Sequence, residues 1–208
     1  MAEAKAKPQA PPLDKRRAIL DAAVRVFARQ GYHATRVADI ADEAGVAYGL
    51  VYHYFRSKEA VMTELFTERW SLLLSAGDEL VAEDIPPRDK LYGIARFIID
   101  SYRYDPELMK VIIIEVTRAA NSFGRTHLPQ IRQAYDQVAR IVREGQEQGT
   151  FRREVDPDFV GMWFYGAIEQ LLSGWVFELI PARDEDFERA LEMVVETLCV
   201  GLERRDDA

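Results

Sequence analysis

The chain has 208 residues, 48% of them apolar and 30% charged, and carries a net charge of −8. That much apolar side chain can bury a core for one or two domains, while the single cysteine, Cys199, excludes an internal disulfide and suits a reducing cytoplasm. No apolar run approaches the roughly 18–20 residues of a membrane span, so the expected protein is cytoplasmic and has no membrane partner.

Residues 1–13, rich in Ala, Pro and Lys, lack the apolar stretch of a signal peptide and are expected to form a disordered arm. A first helix is predicted over 14–30, with Ile19, Ala22, Ala23, Val26 and Phe27 as its stripe and Gly31 ending it. Thr35 then precedes a short segment in which Val37, Ile40, Ala41 and Ala44 share one helical face, and its hydroxyl is the predicted N-cap. Gly45 suits the left-handed backbone that closes such a helix. A second short helix, over about 47–55, begins with small residues and fills with aromatics. Two short helices around the Ala44-Gly45-Val46 turn have the layout that places a recognition helix in the DNA major groove.

Ser57 is predicted to cap a fourth helix, whose apolar face is Val61, Met62, Leu65, Phe66 and Leu73. Pro86-Pro87 breaks the chain, and Asp105-Pro106 restarts it after a helix over 88–104. Further helices are predicted over 107–120, from Leu128-Pro129 to near Gly149, over 157–180 and over 184–203. There is no alternating strand pattern and no repeat. The expected fold is all-α with about nine helices: a three-helix helix-turn-helix head and a C-terminal helical body. The domain boundaries that follow are 1–13 for the arm, 14–60 for a DNA-binding domain and 61–208 for a ligand-binding and dimerisation domain.

A net negative charge argues against nucleic acid until it is divided. Residues 1–60 hold ten Lys/Arg against seven Asp/Glu, a net of +3, and the remainder holds seventeen against twenty-eight, a net of −11. A mildly basic head on an acidic body implies that only the head meets phosphate.

Residues 31–61 resemble the TetR family of transcriptional repressors. That family carries a G-[YF]-x-x-[TS]-[TS] lead-in, an I-A-x-x-A-G-V core and a [VL]-Y-x-[YH]-F-x-[SN]-K-[ED] closure. All three occur here in order and without gaps: Gly31-Tyr32, then Ile40-Ala41-Asp42-Glu43-Ala44-Gly45-Val46, then Val51-Tyr52-His53-Tyr54-Phe55-Arg56-Ser57-Lys58-Glu59. Arg36 departs from the lead-in, where a second Thr or Ser is common. The resemblance covers roughly residues 14–66, and beyond them it rests on length and helical layout. It implies a homodimer that binds a palindromic double-stranded operator and responds to a small molecule.

On the second short helix, Val51 and Phe55 lie four apart and supply a packed face. That leaves Ala47, Tyr48, Gly49, Tyr52, His53 and Tyr54 around the other side. By resemblance, Tyr52 and Tyr54 are expected to reach phosphates, with Tyr48 and His53 nearer base edges and Gly49 letting the backbone approach the groove. Thr35 and Lys58, at helix N-termini, are expected to favour a phosphate, and Arg36 to add a backbone contact. Tyr54 suits half-buried packing equally well, and Thr35 suits a cap alone. His53 has no second ligand at metal spacing, and neither a metal nor another cofactor is expected.

In the body, Phe97, Tyr102, Phe123, Trp163, Tyr165 and Trp175 are candidates to line a ligand cavity, with plain core as the alternative. Arg118 and Asn121 follow the apolar run 111–114, where a cation could meet the head group of a ligand whose tail lies among apolar side chains. The alternative for Arg118 is an exposed pair with Glu115. The segments IIIEVTRAANSF and GQEQGTFRREVDPDFVGMWFYGAIEQLLSGWVF, with the GYH…YHYFRSKE head, are similar to the fatty-acid-metabolism repressors within the family. That resemblance implies a long-chain acyl-CoA effector and makes Arg118 a candidate for the CoA phosphates.

The predicted helix over 157–180 is apolar on nearly every side. One side has Phe159, Met162, Trp163, Gly166 and Gln170; a second has Val160, Phe164, Ala167, Leu171 and Gly174; a third has Gly161, Tyr165, Ile168, Leu172 and Trp175. Such a helix needs cover all round, either from a monomer core or partly from a two-fold partner. The expected dimer seam uses Gly161, Gly166, Ala167 and Gly174 for close approach, together with Leu191, Val195 and Leu198 of the last helix.

No nucleophile elbow, phosphate-binding glycine loop, Cys/His pair or metal cluster is present in the sequence, so an enzyme is not expected. The rivals to an acyl-CoA-responsive repressor are a repressor that senses multiple hydrophobic drugs and an all-α adaptor without DNA binding.

Overall fold

The computed structural model describes the backbone of residues 12–117 and 122–202, and the side chains of residues 15–114 and 127–202. Among them are nine α-helices and no sheet: α1 (Pro12–Gln30), α2 (Val37–Ala44), α3 (Tyr48–Tyr54), α4 (Lys58–Ala82), α5 (Pro87–Tyr104), α6 (Pro106–Thr117), α7 (Ser122–Glu147), α8 (Pro157–Val176) and α9 (Asp184–Leu202). The chain divides into two compact units, Met1–Phe66 and Thr67–Ala208, and α4 runs through the boundary.

In the first unit, the predicted stripe of α1 is buried, as are Ile40 and Ala41 of α2, Val51 of α3, and Val61, Met62, Leu65 and Phe66 of α4. Glu43 of α2 accepts from Arg25 at 2.8 Å and Arg29 at 3.1 Å, tying α2 to α1. These two guanidinium groups hold the Glu43 carboxyl below the usual glutamate range. Ser57 caps α4 as predicted, its Oγ accepting from the amide of Ala60 at 3.2 Å.

The cap of α2 differs from the prediction. Arg36 is the N-cap, with φ −106° and ψ 155°, and its amide donates to the Asp39 carboxylate at 2.7 Å. Thr35 instead turns back, donating its hydroxyl to the carbonyl of Gly31 at 2.8 Å. An acid three residues inside the helix supplies the reciprocal arm of a capping box, so the cap moves one residue along the chain.

In the second unit, the core cluster runs along α5, α7, α8 and α9, with Leu91, Ile98, Val138, Ile141, Phe164 and Leu198 among its members. Burying each such side chain contributes about 1.5–3 kcal/mol. Trp175 stacks on Tyr102 with ring centroids 5.5 Å apart and meets Phe187 edge-on at 4.7 Å. Its indole N–H donates to the carbonyl of Pro181 at 3.0 Å, which satisfies the polar edge of a buried ring.

Two helix boundaries differ from expectation. Helix α7 starts at Ser122, so Pro129 lies inside it instead of opening it. Helix α8 stops at Val176 rather than near 180, because Glu178 takes a positive φ of 56° and the amide of Leu179 returns to the carbonyl of Gly174 at 2.8 Å.

The expected seam residues fall largely inside the chain's own packing. Leu191, Val195 and Leu198 are buried in the core cluster. A Cβ on Gly161 would stand 2.7 Å from the carbonyl oxygen of Tyr135, so this glycine admits α7 of its own chain. Gly174 is closed by Ile180, 3.0 Å from the position of an added Cβ. Gly166, by contrast, is open.

Candidate nucleic-acid interface and effector cavity

The head presents α3 as a two-faced helix. Gly45, with φ 64° and ψ 34°, turns the chain, and the amide of Val46 donates to the carbonyl of Ala41 at 3.0 Å. A residue with a Cβ is strained at that φ, which is why glycine stands there. Val51 and Phe55 are buried beneath α3, and Ala47, Tyr48, Gly49, Tyr52 and His53 are exposed above it. Tyr54 is half-buried, its ring 5.2 Å from that of His53.

Tyr48 is 52% exposed and Tyr52 43%, unusual for aromatics with no apolar cover. The Tyr48 hydroxyl donates to that of Tyr52 at 3.1 Å, which pushes the Tyr48 phenol above its ordinary range. The helix therefore offers two phenols and an imidazole on one exposed face, donors and acceptors suited to phosphate and base edges.

The flanking candidates are placed differently from one another. Arg36 is exposed, whereas Thr35 is only 2% exposed and its hydroxyl is engaged. Lys58 donates from Nζ to the carbonyls of Tyr32 at 2.9 Å, Thr35 at 3.0 Å and His33 at 3.3 Å. This ammonium ties the turn between α1 and α2 to the start of α4, a role that motif spacing did not reveal.

The second unit holds a cavity of about 140 Å³ among α4 to α8. Trp70, Phe97, Ile113, Tyr135, Tyr165 and Ile168 line it. Arg69 and Glu169 bring the charge to its wall, and the Arg69 guanidinium lies over the Phe97 ring at 5.2 Å. Burial raises the Glu169 carboxyl above the usual range.

Of the sequence candidates, Phe97 and Tyr165 line this cavity. Tyr102 and Trp175 do not; they stack on each other in the core. Trp163 is 56% exposed, so it faces outward instead of into the cavity. Arg118 and Asn121 lie outside the described residues, as does the side chain of Phe123. Arg69, Trp70, Tyr135 and Glu169 were missed. The i,i+4 spacing of Tyr165 and Glu169 was the available signal, since it sets both on one face of α8.

A further surface is apolar and uncovered. Phe159, Met162, Trp163, Gly166 and Gln170, the first of the three sides of α8, are all exposed, and so are Met193 and Val200 of α9. A groove beside them is lined by Trp163, Ala167, Leu179, Ile180 and Met193. Among the described residues no cluster of His, Cys, Asp and Glu could hold a metal ion, and no helix is long and apolar enough to cross a membrane.

An exposed aromatic recognition helix on a three-helix head, followed by an all-helical body with an internal cavity, defines a DNA-binding regulator of helix-turn-helix type. Residues 19–65 match the bacterial regulatory proteins of the tetR family, and residues 87–173 match the tetracyclin repressor-like C-terminal domain. The chain is 30% identical over 159 residues to the fatty acid metabolism regulator protein of Bacillus subtilis (strain 168), covering 76% of this chain and 81% of that one. It is 28% identical over 153 residues to the transcriptional repressor KstR2 of Mycolicibacterium smegmatis, covering 72% and 73%. The crystal structure of FadR from Bacillus subtilis in complex with stearoyl-CoA superposes with a TM-score of 0.79 at 26% identity, covering 89% of this chain and 98% of that one. FadR from Bacillus halodurans gives a TM-score of 0.78 at 27% identity, covering 96% and 100%. The chain belongs to the TetR family of transcriptional regulators.

Proposed function

We propose that the protein is a homodimeric repressor that binds a palindromic operator through α3 and is released by a long-chain acyl-CoA. The observation that carries the effector reading is the largely apolar cavity within a body similar to that of a regulator crystallised with stearoyl-CoA. On this reading the tail lies against Trp70, Phe97 and Ile168, and Arg118 meets the polar end. The operator set is Arg36, Ala47, Tyr48, Gly49, Tyr52, His53 and Tyr54, with Thr35 and Lys58 shaping the turn that presents them. The exposed side of α8, with Met193 and Val200, is the surface that the two-fold partner covers.

Helix α4 is the proposed lever. Its first residue holds the turn of the head, and Arg69, Trp70 and Leu73 further along it line the cavity. A ligand releases DNA only if it binds the DNA-incompetent state better than the competent one, so filling the cavity must shift α4.

The test is a titration of acyl-CoAs of rising chain length against the operator complex, with wild type and Arg118→Ala compared. Affinity should climb as methylenes are buried, by up to about 0.8 kcal/mol each, and Arg118→Ala should weaken every member. Release by a planar hydrophobic drug and by no acyl-CoA would replace this effector with a multidrug type, which the aromatic walls of Trp70, Phe97 and Tyr135 also suit.

A further inference from the structure

The cavity holds a polar group that a plain hydrocarbon tail cannot satisfy. The Tyr165 hydroxyl is shut off from solvent and has no hydrogen-bond partner among the described residues. Its nearest aromatic neighbours do not help: the Tyr135 ring lies 5.4 Å away at 44°, and that of Phe164 5.5 Å away, edge-on. Burial pushes the phenol well above its ordinary range, so it stays protonated and keeps a proton to give. Glu169 sits one turn further along α8 on the same cavity wall, with burial favouring its neutral acid. Arg69 lies over the face of Phe97 on the same wall, where burial lowers its pKa and the charge of Asp105 offsets only part of that effect.

An unpaired buried hydroxyl is a cost to the fold, and one that a fold keeps calls for a functional explanation. A bound ligand is the available one here, because Tyr165 lines the cavity.

We propose that Tyr165 is the specificity-determining donor of this cavity, giving its hydroxyl to an uncharged oxygen carried on the buried part of an otherwise apolar ligand, with Glu169 as the second polar contact. The oxygen is a carbonyl or a hydroxyl. A carboxylate is disfavoured beside Glu169, and a plain alkyl chain leaves the Tyr165 hydroxyl unpaired. The inference rests on the reading of this cavity as the effector site, but not on the effector being a CoA thioester.

The experiment uses the full chain and two uncharged probes, acetophenone and ethylbenzene, which differ by a carbonyl in place of one methylene. Calorimetry on wild type and Tyr165→Phe gives four affinities, and thermal unfolding gives the stability of each protein without ligand. Wild type should prefer acetophenone, and Tyr165→Phe should lose about three- to tenfold of that preference, the worth of one hydrogen bond. Its affinity for ethylbenzene should be unchanged or higher, and its melting temperature without ligand equal or higher. Equal weakening of both probes, an unchanged preference or a lowered melting temperature overturns the proposal. Dodecanoyl-CoA and 3-oxododecanoyl-CoA are run alongside. If neither thioester binds while acetophenone still discriminates the two proteins, the acyl-CoA reading fails and the role of Tyr165 stands.

Discussion

The ammonium of Lys58 lies over the ring of Tyr32, 4.6 Å from its centroid, while donating to the carbonyl of the same residue at 2.9 Å. One side chain at the start of α4 thereby closes the glycine-led turn between α1 and α2. Without the cation the carbonyls of His33 and Thr35 lose its hydrogen bonds, while that of Tyr32 still accepts from the Thr35 amide at 3.2 Å. Lys58→Met should therefore lower the stability of the head by about 1.5–3 kcal/mol, the scale of hydrogen bonds to a charged group. It should weaken binding to every DNA sequence by disordering the presentation of α3. Denaturant unfolding followed by tyrosine fluorescence measures the first effect, and a binding assay on operator and random DNA measures the second. Weaker binding with unchanged stability would show that the ammonium acts on phosphate alone.

Tyr52 gives the contrasting case. Its hydroxyl meets only that of Tyr48 among the described residues, on an exposed face. Tyr52→Phe should leave unfolding unchanged within about 0.5 kcal/mol, as surface substitutions do. Operator affinity should fall several-fold, while the slope against salt concentration stays the same, because a phenol releases no counterion. Arg36→Ala should instead reduce that slope by about one unit if its guanidinium meets a phosphate. Identical slopes and affinities in both variants would remove α3 and the cap of α2 from the DNA surface.

The helices of the head were legible because the local signals agreed with one another, the cap of α2 excepted. Gly31, Gly45 and Ser57 stand where the chain must turn or start a helix, and the burial of Val51 beneath α3 follows from the same spacing. What periodicity could not supply was which of several apolar faces points where. Helix α8 is apolar on nearly every side, so its sequence does not distinguish the side against α7 from the side left open; Gly161 and Gly166 look alike until Tyr135 is seen against one of them. Tyr102, Trp163 and Trp175 cannot be told from cavity-lining residues in the sequence for the same reason. The engagement of Lys58 was hidden because its partners are backbone carbonyls, which leave no trace in residue type.

Those two glycines separate fold from assembly. Gly161→Ala forces a Cβ against the backbone carbonyl of Tyr135, which cannot rotate away, and should cost about 1–3 kcal/mol of stability. Gly166→Glu meets nothing within its own chain and should leave each chain able to fold. If the exposed side of α8 is the dimer surface, Gly166→Glu and Trp163→Arg should yield folded monomers by light scattering. Leu198→Arg, which buries an unpaired charge in the core, should unfold the body instead. Folded dimers from both Gly166→Glu and Trp163→Arg would place the interface elsewhere.

Glu169 links stability to pH. Its carboxyl titrates higher in the folded chain than in the unfolded one, because burial disfavours the anion. The native state then binds the proton more tightly, and stability falls as pH rises from the ordinary glutamate range through the raised value. Above the raised value the ionised acid on the cavity wall is a net cost, moderated by its partial exposure. Glu169→Gln keeps the shape and removes the titration. It should unfold at a higher temperature than wild type at pH 7, and the difference should shrink as the pH is lowered toward 4. Thermal unfolding across that range is the measurement. A constant offset between the two proteins would mean that the carboxyl titrates as it does in water, leaving the cavity wall no preference for a neutral acid beside Tyr165.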